Sequence, residues 1–201
     1  MALRPRFLFL LSFLAIALAA NAAFFVMSAS AASTSSASYT FDGGTRGQRT
    51  QVQKALAAST FDWSIVPRQI TIHIGVGVES RAVPGEIWLD SRLLDSGRFS
   101  WGVVQHEYAH QVDFFLLGDA DHAELMRMIG GKAWCWDTPG LQHSDYGCER
   151  FASTLAWAYW QSGDNCMKPA AKSDESGGMS PASFRALLAR MLNRPALRRT
   201  G

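Results

Sequence analysis

The clearest chemistry in this 201-residue chain lies in five consecutive residues, His106-Glu107-Tyr108-Ala109-His110. On a helix, residues four apart stand one turn apart on one face, so the two imidazoles can close on a single metal ion. Glu107 is offset by one position. It would stand beside the ion, near enough to take a proton from an activated water without being a ligand itself. These groups are the parts of zinc-assisted hydrolysis, with Zn²⁺ as the expected cofactor. The competing reading is a pair of core histidines on an apolar helix, because so short a string also arises by chance.

A catalytic zinc takes three protein ligands and leaves the fourth place to water. Candidates for the third ligand are Asp113, Asp119, Asp121, His122, His143, Asp145 and Glu149. Asp113 lies one turn beyond His110 on the same face, too close in direction to complete a tetrahedron, and is expected to be a supporting or capping carboxylate. Glu149 is preferred. It opens the segment Cys148 to Trp160, whose positions Phe151, Ala152, Leu155, Ala156 and Tyr159 are spaced for a helix that can pack closely on the first. The alternative for Glu149 is an acidic residue that stabilises its own helix N-terminus. In the loop before it, His143 or Tyr146 could donate a hydrogen bond to the oxyanion formed during hydrolysis; otherwise both are surface-loop residues.

These groups need elements to hold them. Ser100 to Leu117 reads as one helix, with Ser100 as cap, Gly118 as stop and Val104, Val112, Phe115 and Leu116 as anchors. Upstream, Gln48 to Ala58 has the spacing of a short amphipathic helix with Val52, Ala55 and Leu56 on its buried side. Gln69 to Ile74 alternates Ile70, Ile72 and Ile74 against Thr71 and His73, a half-buried strand that leaves His73 on the solvent side. Gly75-Val76-Gly77 is a turn or bulge, and Gly85 to Asp90 a second strand after a Pro-Gly turn. Asp121 to Ile129 is a short helix stopped by Gly130-Gly131. Lys132 to Gly147, with Trp134, Trp136 and Pro139, is a packed loop or a cleft wall. A last helix is capped by Ser180 with Pro181 in its first position.

Two strands, a His-Glu-x-x-His helix and a second helix opening with Glu resemble the zincins, in particular the gluzincin branch of zinc metallopeptidases, over Gln69 to Trp160. The segments SWGVVQHEYAHQVD and ERFASTLAWAYW are also similar to uncharacterised exported proteins of high-GC bacteria. The resemblance implies an α+β domain, a small sheet packed on an active-site helix that bears His106, Glu107 and His110 and a second helix that bears Glu149. It also implies that Gly85 to Asp90 is the edge strand along which an extended peptide or protein substrate pairs. The chain departs from the family at Ser153. Many gluzincins place there an Asp that orients a ligand histidine; a serine can accept the N–H but carries no charge.

Arg4 and Arg6 precede an apolar run from Phe7 to Ala20 and then small residues, the pattern of a secretory signal peptide over residues 1–32. A retained anchor is the alternative, and the only expected membrane contact. A Ser/Ala/Thr-rich linker follows over 33–40, with folded structure beginning near Tyr39 and the domain running over 41–197. Lys and Arg number 19 against 17 Asp and Glu, and removal of Arg4 and Arg6 leaves 17 against 17. A near-neutral chain has no footprint for nucleic acid or anionic membrane. Three cysteines in an exported chain imply one disulfide, with Cys135–Cys148 the first choice because it would pin the loop entering the next helix; cysteine ligation lacks the Cys-x-x-Cys spacing. The expectation is therefore a secreted or cell-envelope zinc metallopeptidase-like hydrolase with Glu107 as general base. The alternative is a metal-binding but non-catalytic module of the envelope.

Overall fold

The computed structural model describes residues 38–135 and 138–193. The expected leader, residues 33–37 of the linker, Trp136 and residues 194–197 of the domain lie outside them. In chain order the elements are β1 (Tyr39–Gly43), α1 (Arg46–Ala58), β2 (Ile70–Gly75), β3 (Arg81–Val83), β4 (Glu86–Asp90), α2 (Ser91–Asp95), α3 (Ser100–Leu116), α4 (Asp119–Ile129), α5 (Gly147–Tyr159) and α6 (Pro181–Leu192). Among the described residues this is a mixed α+β architecture of one small sheet and six helices. β1 takes Tyr39 and Thr40 out of the linker and into the sheet.

The sheet runs β1-β2-β4-β3. β1, β2 and β4 are parallel, and β3 returns antiparallel to β4. The expectation for Gly85 to Asp90 is corrected here: β4 is an inner strand, and the short Arg81–Val83 segment covers the side it was expected to leave open. That segment escapes sequence reading because three residues are too few to show alternation. Strand alternation puts Ile70, Ile72, Ile74, Ile87 and Leu89 in one hydrophobic cluster with Val52, Ala55 and Leu56 of α1 and Val104, Tyr108 and Val112 of α3. His73 lies on the other face, stacked on Trp88 and bonded to Asp42 and Glu86.

α1 starts with a capping box: Thr45 Oγ1 accepts from Gln48 N–H, and Gln48 Oε1 accepts from Thr45 N–H. α3 starts differently from expectation. Ser100 makes no cap; α3 continues from a 3-10 turn at Gly97–Phe99, and the Ser100 hydroxyl donates to the Gly97 carbonyl at 2.7 Å. At its other end the backbone turns extended at Leu117, and Gly118 leads into α4.

One buried glutamine ties the sheet to α3. Gln111, the residue after His110, accepts from Gly85 N–H at 2.8 Å and donates to the carbonyls of Val83 and Glu86 at 2.9 and 3.2 Å. The β3–β4 hairpin is thereby held beside the His-bearing turn of α3. On its other side α3 packs along α5, and α6 closes over α5 with Phe184, Leu187, Leu188 and Met191.

Candidate metal centre

Facing turns of α3 and α5 carry the site. Small residues on α5, Ala152 and Ala156, let the two helices approach, and both are fully buried. His106, Glu107, His110 and Glu149 are 5, 6, 5 and 3% exposed, so four ionisable side chains share one buried site. Charged groups survive there only when paired or bound to a metal.

Glu149 Oε2 lies 3.0 Å from His106 Nε2 and 3.4 Å from His110 Nε2, and the two Nε2 atoms are 3.2 Å apart. Donors bonded at zinc distances to a tetrahedral ion stand about 3.3 Å from one another. The three pairs therefore already have the separations of one coordination sphere. The expected ligand set is brought together, although His106 and Glu149 are far apart in the chain. His106, Glu107 and His110 also form a buried group whose ligand atoms lie within 4.8 Å of one another, and His110, Cys148 and Glu149 form a second. The Cys148 sulfur is bonded to Cys135 and offers no thiolate, which leaves the imidazoles and carboxylates.

His143 comes closer than an oxyanion donor needs to be. It sits on a 3-10 turn, His143–Asp145, and its Nε2 is 3.1 Å from Glu149 Oε2, the third ring nitrogen around that oxygen. Its Nδ1 faces Glu175 Oε1 at 2.7 Å. Tyr146 is buried and its hydroxyl donates to the Thr138 carbonyl at 2.8 Å, so the proton expected for an oxyanion is committed to the loop. Asp113 is likewise corrected. It accepts from His122 Nε2 at 2.8 Å and Trp134 Nε1 at 3.2 Å, and thus joins α3 to α4 and the loop that follows.

The electrostatics are those of a crowded acid–base cluster. Burial pushes the Glu107 carboxyl up, opposed by the positive charge of His106 and His110 and reinforced by Glu149. Burial also acts upward on Glu149, but hydrogen bonds from His106, His110 and His143 outweigh it and hold the carboxyl far below its usual range. His110 moves up overall: burial pulls it down, and the hydrogen bond and charge of Glu149 prevail. The bonds to Glu149 and Glu175 push His143 up to about 10. Glu175 is held low; burial opposes this, and His143 and Ser153 overcome it.

The sequence carries no spacing that marks Glu175. It sits in a polar loop, on a 3-10 turn at Glu175–Gly177, yet its Oε2 accepts from Ser153 Oγ–H at 2.8 Å while Ser153 Oγ lies 3.0 Å from His106 Nδ1. Arg150 positions both loops. Buried on α5, it donates through Nε to the Ile129 carbonyl and through Nη1 to those of Ser144 and Ser173. The expected Cys135–Cys148 disulfide is present, with Cα atoms 5.4 Å apart, and anchors the His143 loop to the first turn of α5.

The fold and site together define an α+β domain with a buried His/Glu cluster able to hold a metal ion. No family model, no curated protein and no solved structure matches the chain. No helix of the described residues is long and apolar enough to cross a membrane.

Proposed function

We propose that the protein is an exported, zinc-dependent metallopeptidase-like hydrolase of zincin-like, gluzincin type. The observation that carries the reading is the convergence of His106 Nε2, His110 Nε2 and Glu149 Oε2 at the separations of one coordination sphere, with Glu107 buried beside them. A zinc ion held there supplies Lewis acidity and lowers the pKa of a water toward about 7.

The chain's own residues do the rest. Glu107 would accept a proton from the attacking water and pass it to the leaving amine, and burial shifts its carboxyl upward, the direction that strengthens it as a base. His143, on the rim with its side chain 54% exposed, is placed to donate to the developing oxyanion once substrate separates it from Glu149. β3 is the antiparallel strand at the sheet edge beside α3, and it replaces β4 as the strand against which an extended peptide or protein substrate aligns. The disulfide suits an oxidising compartment and supports the secreted or envelope assignment and the leader that goes with it.

One observation favours a second reading, the non-catalytic metal-binding module. The ring nitrogens of His106, His110 and His143 lie 3.0, 3.4 and 3.1 Å from Glu149 Oε2, and a coordination sphere filled by all four groups would leave no place for water. The deciding experiment is metal analysis followed by cleavage of an unstructured protein. The hydrolase reading expects about one zinc per chain, its loss in His110→Ala, and cleavage that stops with chelator and returns with zinc. Bound zinc without cleavage across a broad peptide panel supports the second reading, and absence of zinc removes both.

A further inference from the structure

The departure at Ser153 leaves the centre without the charged partner that ligand histidines ordinarily have. The fold supplies one from elsewhere. Ser153 Oγ can accept His106 Nδ1–H while its own proton goes on to Glu175 Oε2 at 2.8 Å, a charged acceptor nearer and stronger than Met167 Sδ at 3.4 Å. The other oxygen of the same carboxylate faces His143 Nδ1 at 2.7 Å. With a metal bound, the Ser153 contact would keep the His106 ring proton on Nδ1 and free its Nε2 for the ion, and the Glu175 contact fixes the orientation of the His143 ring.

We infer that Glu175 is the positioning carboxylate of this centre, orienting His143 directly and His106 through Ser153, and so stands in for the acid absent from position 153. The inference rests on the metal-centre reading above. The turn that bears Glu175 is fixed independently of the histidines. Arg150 holds the Ser173 carbonyl, and the Ser176 hydroxyl donates to the Met167 carbonyl. Gly178 packs so closely on the end of α4 that a Cβ there would meet the Ile129 carbonyl oxygen at 2.4 Å. A carboxylate on so constrained a turn can impose an orientation on its partners.

The test is zinc affinity by chelator competition and the absorption spectrum of the cobalt-loaded protein, for the parent, Glu175→Gln, Ser153→Ala and the double variant. Removing a partner of this kind weakens metal binding about 10–100-fold. Glu175→Gln, which preserves size but not charge, is expected to show that loss and a changed cobalt spectrum, with near-UV circular dichroism like that of the parent. Ser153→Ala breaks one arm only and is expected to lose less. Because both lie on one chain of hydrogen bonds, the double variant is expected to lose less than the two effects combined. Tight binding by the parent together with equally tight binding and an unchanged spectrum in Glu175→Gln overturns the inference and leaves the metal reading standing. A parent that retains no zinc overturns the metal reading and this inference with it.

Discussion

Two carboxylates border the paired histidines, and replacing each by its amide separates a base from a ligand. Glu107 belongs to a buried group with both histidines, so on proximity alone it competes with Glu149 for the third coordination place. The interatomic distances favour Glu149, whose Oε2 lies 3.0 and 3.4 Å from the two ring nitrogens, around the edge of about 3.3 Å that a tetrahedral zinc site requires. Glu107→Gln should therefore leave the zinc content at that of the parent. It should also lower kcat/KM by about 10²–10⁴, or roughly 3–5.5 kcal/mol, the range for a positioned general base. Glu149→Gln should lose the metal and, with it, the activity. The assay pairs atomic-emission zinc analysis with cleavage of a quenched fluorescent peptide found active with the parent. Loss of zinc from Glu107→Gln with retention in Glu149→Gln would exchange the two roles, and full cleavage by zinc-loaded Glu107→Gln would refute the base.

Gly102→Ala should destabilise by about 1–3 kcal/mol in urea unfolding although alanine is the better helix former. The new Cβ would meet Asn165 Oδ1 at 2.4 Å and Cys166 Sγ at 2.8 Å, and Asn165 cannot swing away from its bonds to the Ala156 and Trp160 carbonyls. Replacing Cys135 and Cys148 together by Ala opens a loop with a sequence separation of 13. That should cost about 3 kcal/mol by loop entropy, read by the same unfolding assay. In the metal-free protein, stability should fall on both sides of a maximum near pH 5–7. Glu149 and Glu175 are depressed from 4.5, so their contribution is present above that pH and fades below it. His143 is raised from 6.5 to about 10, so its contribution is complete below 6.5 and disappears as pH rises through about 10. His143→Gln should flatten the alkaline side of a melting-temperature profile; an unchanged alkaline side counts against the His143 contacts.

Much of this molecule was legible in the chain because it depends on local periodicity. Alternation in Ile70 to Ile74, the helical spacing of Val52, Ala55 and Leu56, and Pro181 after Ser180 each mark an element without reference to anything distant. The pairing of His106 with His110 is of the same kind, since one helical turn brings them together. Glu149 could be picked out because it opens an amphipathic segment. Cys135–Cys148 could be favoured because it would pin the loop that enters the next helix.

Only the tertiary structure decided the rest. β3 has too few residues to show a pattern and exists because β4 offers it an edge. Asp113 is drawn to His122 and Trp134 by the way α4 folds back, a path that its own helix does not specify. Glu175 and Ser153 become partners because Arg150, three residues before Ser153, gathers two loop carbonyls onto α5. The sequence by itself determined which side chains can bind and activate, because that follows from residue type and helical repeat. Which carboxylates reach them was decided by packing, since a contact between residues 106, 143, 153 and 175 depends on the closure of loops whose composition leaves their paths open.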